Sequence, residues 1–258
     1  MDCKLKCIFW NVRGLTSRAK RCAVQLVISV VSPSIVCLQE TKLEVVTLPI
    51  VIETLGPNLA DFYFLPAIGT CGGILLAWRR NEISISSPYV GQHHITALVS
   101  SLSGSNPWWI TGVYGLQNDD GKLLFLADLQ ETRDTCAGPW LLGGDFNLVT
   151  SAEHKSNGRI NWHTSSRFHR FIADMELRDI YMHDRRYTWS NERDSSTLVR
   201  NDRLLCTTDW ESTQQHCLLR CLATTVSDHC PLFLDCLPHN TDPKRFHFER
   251  FWVKLEGF

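Results

Sequence analysis

Phe9-Trp10-Asn11-Val12-Arg13-Gly14 is an apolar run that stops on an asparagine, and Cys37-Leu38-Gln39-Glu40-Thr41 stops in the same way on a glutamate. Between them Ser17 to Val31 has the spacing of an amphipathic helix, with Ser17 as N-cap and Ser32-Pro33 as the stop. The chain therefore opens strand, helix, strand, and both strands end on side chains that bind metal, hold phosphate or move protons. Three later runs close alike: Gly112-Val113-Tyr114-Gly115, Gly143-Gly144-Asp145-Phe146-Asn147 and Ser227-Asp228-His229. Such groups cost several kcal/mol when buried without partners, so five of them at strand ends point to one mouth on the rim of a β-sandwich.

Working outward, strands are predicted at Phe62–Leu65, Ile74–Trp78, Ile83–Ser86, Ile95–Leu102 and Trp108–Tyr114, separated by turn residues. The stretch 43–60 gives no clear pattern. Lys122 to Arg133 and Ser165 to Leu177 are spaced as helices, on either side of a buried run at Trp140–Leu142. Tyr187–Ser190, Val199–Leu205, Cys217–Ala223 and Leu232–Cys236 complete the strands. Two groups of strands, each carrying helices, predict two sheets packed face to face with helices outside.

The bulk numbers narrow the partners. A net charge of −1 over 258 residues excludes a uniformly basic nucleic-acid binder. Contact with DNA must come from local patches such as Arg13, Arg18, Lys20 and Arg21, or His154, Lys155 and Arg159, or Arg185, Arg186, Arg200 and Arg203. Eleven cysteines lie scattered with no CxxC pair. Cys217 and Cys221 fall in strand-like sequence, which sets them about 13 Å apart. Reduced thiols used as small core residues fit better, and they imply cytoplasm or nucleus. No signal-peptide region opens the chain and no run approaches the length of a membrane span.

The strand-end residues suit metal-assisted phosphoester hydrolysis. That reaction needs charge neutralised on the phosphate, an aligned water and help for the leaving oxygen. Mg²⁺, or Mn²⁺ in its place, asks the protein for only one or two carboxylates. Glu40 is the expected metal ligand, with Asn11 orienting it or bridging to phosphate. Asp145 would deprotonate water and Asn147, on the same face of an extended segment, would hold water or phosphate. Gly143 and Gly144 allow close backbone approach. Asp202 would orient and charge His229, and Tyr114 would add a hydroxyl.

The ordered set WNVRG, LQET, VYG, GDFN and SDH resembles the endonuclease/exonuclease/phosphatase superfamily, over residues 5 to about 237. The resemblance implies one domain over 1–237 with a four-layered α-β-β-α sandwich (DNase I-like). It also implies an active site of Asn11, Glu40, Tyr114, Asp145, Asn147, Asp202, Asp228 and His229, with Glu40, Asn11 and Asp228 on the metal. Trp10 to Leu15, Gln39-Glu40-Thr41-Lys42, Gly72-Gly73-Ile74 and Tyr187-Thr188-Trp189 look most like the endonuclease of plant LINE-type (non-LTR) retrotransposons. In that family the enzyme nicks chromosomal DNA, and the freed 3′-hydroxyl primes reverse transcription. Thr188, Trp189 and Arg200 would then contact DNA.

Arg13 stands where repair-type apurinic endonucleases commonly carry Asp, which argues against abasic-site repair. Asn201 stands where relatives place an inward-packing Leu or Ile, and would cost about 1–3 kcal/mol if left unsatisfied. The aromatic segment from Pro238 to Phe258 resembles the linker into a reverse transcriptase, the expected partner, and suggests a truncated copy or an excised domain. A phosphatase for inositol lipids or another small phosphoester, and an inactive relic, are the alternative readings.

Overall fold

The computed structural model describes residues 5–102, 104–193, 195–214 and 217–236. Strand β1 (Lys6–Asn11) is buried on both faces. Cys7 and Phe9 face one core while Ile8 and Trp10 face another, so the run shows no polar alternation. Helix α1 (Arg18–Ser29) begins at its expected cap, where the Ser17 hydroxyl accepts from the Lys20 N–H at 3.3 Å. The chain then returns as β2 (Ile35–Gln39), parallel to β1 with Phe9 opposite Cys37.

The stretch without a clear pattern holds α2 (Leu48–Leu55), with a proline in its first turn, and a short 3-10 turn at Pro57–Leu59. Next come β3 (Asp61–Ile68), β4 (Cys71–Trp78), β5 (Ile83–Val90), β6 (His94–Ser101), β7 (Trp108–Tyr114), α3 (Asp119–Thr135) and β8 (Trp140–Asp145). After them follow α4 (Trp162–Asp174), β9 (Leu177–Asp179), β10 (Trp189–Ser190), β11 (Leu198–Val199), β12 (Asp202–Thr207), α5 (Thr208–Thr213), β13 (Cys217–Cys221) and β14 (Leu232–Cys236).

One sheet has the order β13-β14-β1-β2-β4-β3 and the other β5-β6-β7-β8-β12-β9, with β10 and β11 a separate ribbon. Each sheet has one parallel pair at its centre, β1 with β2 and β7 with β8, joined by α1 and α3. Phe9, Cys37, Ile110, Leu141 and Leu204 pack between the sheets. The outer face of the first sheet meets α1 and α2 through Ile8, Trp10, Val24, Leu38 and Val51. Trp140, Leu142, Phe168 and Leu205 do the same for α3 and α4 on the second. The result is the four-layered α-β-β-α sandwich. Three cores fix register tightly, because a one-residue slip of β1 would exchange Phe9 with Trp10 and carry Asn11 off the rim.

Close approach of the sheets depends on glycine in strand interiors. A Cβ on Gly143 would lie 2.3 Å from Leu204 Cδ2 and 2.6 Å from Phe9 Cδ1, and one on Gly112 would lie 2.1 Å from Cys37 Sγ.

Several expected elements are bounded differently, two of them for a visible reason. The helix expected from Ser165 to Leu177 starts at Trp162, because Asn161 caps it by accepting from the His163 and Thr164 N–H groups. It ends before Leu177, because Glu176 turns left-handed at φ 52° and releases the chain into β9. The strand expected over Val199–Leu205 breaks at Arg200 and Asn201, where the chain passes from the ribbon into the second sheet. The domain limit at 237 and the tail from Pro238 lie outside the described residues. Among the described residues no helix is long and apolar enough to cross a membrane.

Gly143→Ala should destabilise the fold by about 1–3 kcal/mol in urea unfolding, as overpacking of a dense core does. Glu176→Gly should act with the opposite sign, stabilising by up to about 1 kcal/mol, since glycine occupies a left-handed helix end without strain.

Candidate active site

The ends of β1, β2, β7 and β8, the start of β12 and the loop before β14 converge on one rim. Three exits from it are left-handed, at Arg13 (φ 55°), Glu40 (φ 52°) and Asn147 (φ 52°). For residues other than glycine such backbone costs about 1–3 kcal/mol and persists only where the surroundings enforce it. Here packing enforces it: Val12 and Phe146, next to two of these exits, are fully buried. Asp145 and Asn147 do come together, but not by strand alternation as expected. A tight turn brings the Asn147 N–H to Asp145 Oδ1 at 3.0 Å, and the Asn147 amide donates to the Gly115 carbonyl at 2.8 Å.

Asn11 joins the two sheets. Its Nδ2 donates to Glu40 Oε2 at 3.1 Å and to Asp145 Oδ2 at 2.9 Å, while its Oδ1 accepts from the Arg13 N–H at 3.0 Å. All of its polar atoms are thereby used, and it is fully buried. Asn11, expected on the metal, turns its donors toward the two carboxylates, the arrangement that orients them.

On one side of Asn11 lies a proton-handling group. Asp202 accepts from His229 Nδ1 at 2.9 Å, and His229 Nε2 lies 3.8 Å from Asp145 Oδ2. Burial alone would discharge His229, but Asp202 and then Asp145 outweigh it and lift the imidazolium to about 9. Burial likewise raises Asp145, to about 6, with His229 pulling the other way. At neutral pH the pair is therefore ionised on both sides. Asp145, Asp202 and His229 also offer three ligand atoms within 4.8 Å of one another. The bond from His229 Nδ1 to Asp202 also arranges the ring for proton transfer beside Asp145.

On the other side lies a charge cluster. The Arg13 guanidinium sits 3.1 Å from Glu40 Oε2 and 3.2 Å from Asp228 Oδ1, and Lys42 Nζ lies 3.2 Å from Glu40 Oε1. Burial opposes the Glu40 charge, yet Arg13 and hydrogen bonds from Asn11, Arg13 and Lys42 hold its carboxyl below the usual range. Burial, with Glu40 and Asp145 beside it, pushes the Tyr114 phenol up and keeps it protonated. Two carboxylates converging on one positive charge are a donor set that fits a hard divalent ion. Glu40 and Asp228 pass that test.

The sequence-expected DNA contacts separate. Thr188 is fully buried: its hydroxyl donates to Asp202 Oδ2 at 2.6 Å and accepts from the Asp202 N–H at 3.1 Å. Its side chain supports Asp202. Arg200 is turned to Asp179 at 2.9 Å, and the fully buried Arg203 pairs with the same carboxylate, so both brace β9. Trp189 does line a cleft beside the rim, and its indole N–H donates to Asp228 Oδ2 at 2.9 Å. Asn201, expected to pack inward, is half-buried and lines that cleft too, so the suggested penalty for burying it does not arise.

The ribbon is rooted in the catalytic loop. Trp189 bridges His229, the Ser190 N–H donates to the Asp228 carbonyl at 3.1 Å, and the Cys230 N–H donates to the Thr188 carbonyl at 2.8 Å. Lys42, Trp10 and Ser227 also serve the site without having been singled out. Trp10 donates to the His229 carbonyl at 3.0 Å and Ser227 to the Asn11 carbonyl at 2.8 Å. A basic residue two places after Glu40 was a usable signal for Lys42. Trp10 carried none, since it looks like any core aromatic.

His229 binds its proton more tightly in the fold than in the unfolded chain, where 6.5 applies. The stability it contributes is complete below about 6.5 and is lost as pH rises through about 9. An NMR titration of metal-free protein should place the imidazole near 9, and Asp202→Asn should lower it by about 1–2 units. An unshifted ring would remove Asp202 from its role.

Among curated proteins none matches the chain in sequence. Among solved structures, the 3′ phosphatase NExo from Neisseria, bound to a product DNA hairpin, matches with a TM-score of 0.69 at 20% identity, covering 89% of this chain and 98% of that one. The endonuclease domain of TRAS1, a telomere-specific non-LTR retrotransposon, matches at 0.68 and 11% identity, over 90% and 98%. A mannosyl-6-phosphatase from Bacteroides thetaiotaomicron matches at 0.65 and 15%, over 89% and 98%. At these identities the likeness shows the fold alone. The model of the Endonuclease/Exonuclease/phosphatase family matches residues 8–229, a span that runs from within β1 to His229. Every strand-end side chain described above lies inside it, and the chain belongs to the endonuclease/exonuclease/phosphatase family.

Proposed function

We propose that the chain is a divalent-metal-dependent phosphodiesterase that nicks DNA, of the kind carried by LINE-type retrotransposons. The observation that carries this reading is the cleft beside the rim. It has a volume of about 690 Å³ and is lined by five basic side chains, Arg13, Lys122, Lys155, Arg159 and Arg193, against one carboxylate, Asp228. Asn147, Asn157, Asn161, Asn191 and Asn201 supply amides, and Trp189 supplies an aromatic surface. A small phosphoester would be held by the rim alone and would leave Lys155, Arg159 and Arg193 without a task. A polynucleotide presents phosphates in series, which suits basic groups strung along a cleft, and bases that stack on an indole.

In this mechanism Asn11 holds Glu40 and Asp145 at fixed separation. Asp145, with a proton affinity close to neutral pH, draws the proton from the attacking water. Asn147 lines the cleft where that water or the phosphate would sit. Asp202 keeps His229 charged, so the imidazolium donates to a phosphoryl oxygen as its charge grows. Tyr114, protonated, donates to the phosphate or the leaving oxygen. Glu40 and Asp228 would hold Mg²⁺ or Mn²⁺, which supplies positive charge to the phosphate and the departing oxygen. A nick leaves a free 3′-hydroxyl, the end that a partner reverse transcriptase extends.

Purified protein should nick supercoiled plasmid with Mg²⁺ and stop on addition of EDTA. Glu40→Ala and His229→Ala should each reduce the rate by roughly 10²–10⁴-fold, and full activity in either would sink the assignment. Hydrolysis of inositol phosphates with plasmid untouched would favour the small-phosphoester reading instead. Replacing Arg159 and Arg193 together by Ala should weaken duplex binding and flatten its dependence on log salt by about 2, from two lost phosphate contacts. An unaltered slope would take the cleft out of the DNA path.

A further inference from the structure

Arg13 holds the place on the carboxylates that a metal ion would need. Its NH1 lies 3.1 Å from Glu40 Oε2 and its Nε 3.2 Å from Asp228 Oδ1, so one planar group spans both. Both oxygens of Glu40 carry further bonds: Asn11 Nδ2 shares Oε2 at 3.1 Å and Lys42 Nζ holds Oε1 at 3.2 Å. Coordination of a hard ion and a charge-assisted hydrogen bond use the same carboxylate lone pairs at the same face. An ion bonding Glu40 and Asp228 directly therefore competes with the guanidinium that spans them.

Arg13 is built for that exchange. Its backbone is fixed by the N–H bond to Asn11 Oδ1 at 3.0 Å and by a left-handed turn at φ 55°. Its side chain remains 39% exposed and lines the basic cleft. Released from the carboxylates, the planar fork has phosphate within the cleft as its natural partner.

We propose that Arg13 is a resident counter-ion of the Glu40–Asp228 pair, competing with the divalent metal and yielding to it as the guanidinium turns to a phosphate. The inference rests on the reading of Glu40 and Asp228 as the metal holders. Arg13 is thus a positioning residue that sets how readily metal enters. Without nucleic acid the pair prefers its internal cation, so the ion binds weakly. With phosphate in the cleft the guanidinium gains a second partner, and the carboxylates are freed.

The test is Mn²⁺ binding to the full chain without DNA, read as loss of the free-ion signal in electron paramagnetic resonance. Arg13→Ala should bind Mn²⁺ about tenfold more tightly than the natural protein, the worth of one lost charge-assisted competitor. Arg13→Lys should stay near the natural value, because the ammonium keeps a charge on the pair. Mn²⁺ should also raise the Tm of Arg13→Ala more than that of the natural protein. If Arg13→Ala does not fold, Arg13→Gln replaces it in the same comparison. Equal affinity with and without Arg13, while Glu40→Gln abolishes binding, would overturn the competition and leave the metal reading standing. Undiminished Mn²⁺ binding by Glu40→Gln would overturn the metal reading and this inference with it.

Discussion

The two hydrogens of one buried amide connect the sheets at their functional edge. Asn11 Nδ2 donates one to Glu40, which follows β2 in the first sheet, and one to Asp145, which ends β8 in the second. Asparagine is close to the only side chain that serves. Aspartate would place a third negative charge beside two carboxylates, and glutamine would push the nitrogen past them by a methylene. Because two buried anions share this donor, its loss leaves both under-satisfied, which costs more than a typical hydrogen bond contributes. The spacing of the rim thus depends on the register of β1, and that register depends on the three apolar layers.

Around this amide the charges divide into two groups. Arg13 and Lys42 answer Glu40 and Asp228, and His229 answers Asp145 and Asp202. The first group lies where the protein opens to the cleft, with the Arg13 side chain 39% exposed. The second is nearly dry, with Asp145, Asp202 and His229 each at most 3% exposed, and there the His229 and Asp145 proton affinities are both raised. Burial raises Asp145 and opposes the charge on His229, which the two neighbouring carboxylates restore.

The sheets were legible in the sequence because their central strands are apolar on both faces and stop abruptly on polar residues. The cap at Ser17 gave α1 for the same reason: a hydroxyl at that position has one obvious use. What stayed hidden was local. Helices α2 and α5 and strand β9 are too short for a period to emerge, and β9 carries Asp179, the partner of Arg200 and Arg203. Without that partner both arginines read as surface charges available to DNA. Thr188 has a bond that the sequence did not show, since its place beside a ribbon suggests exposure while its hydroxyl donates to Asp202. The identities of the rim residues were readable; which way their donors and acceptors pointed was not.

The ribbon of β10 and β11 is held at both of its strands. At the root it is bonded to the loop carrying Asp228 and His229. Along β11, Leu198 exchanges two hydrogen bonds with Ser156, both 2.9 Å. Between Ser190 and Leu198 the chain is therefore a natural seam: segments of other lengths fit there while both anchor points stay where they are. An engineer grafting a foreign loop, or drift doing the same over generations, can rewrite the rim of the cleft without moving an atom of the acid–base pair.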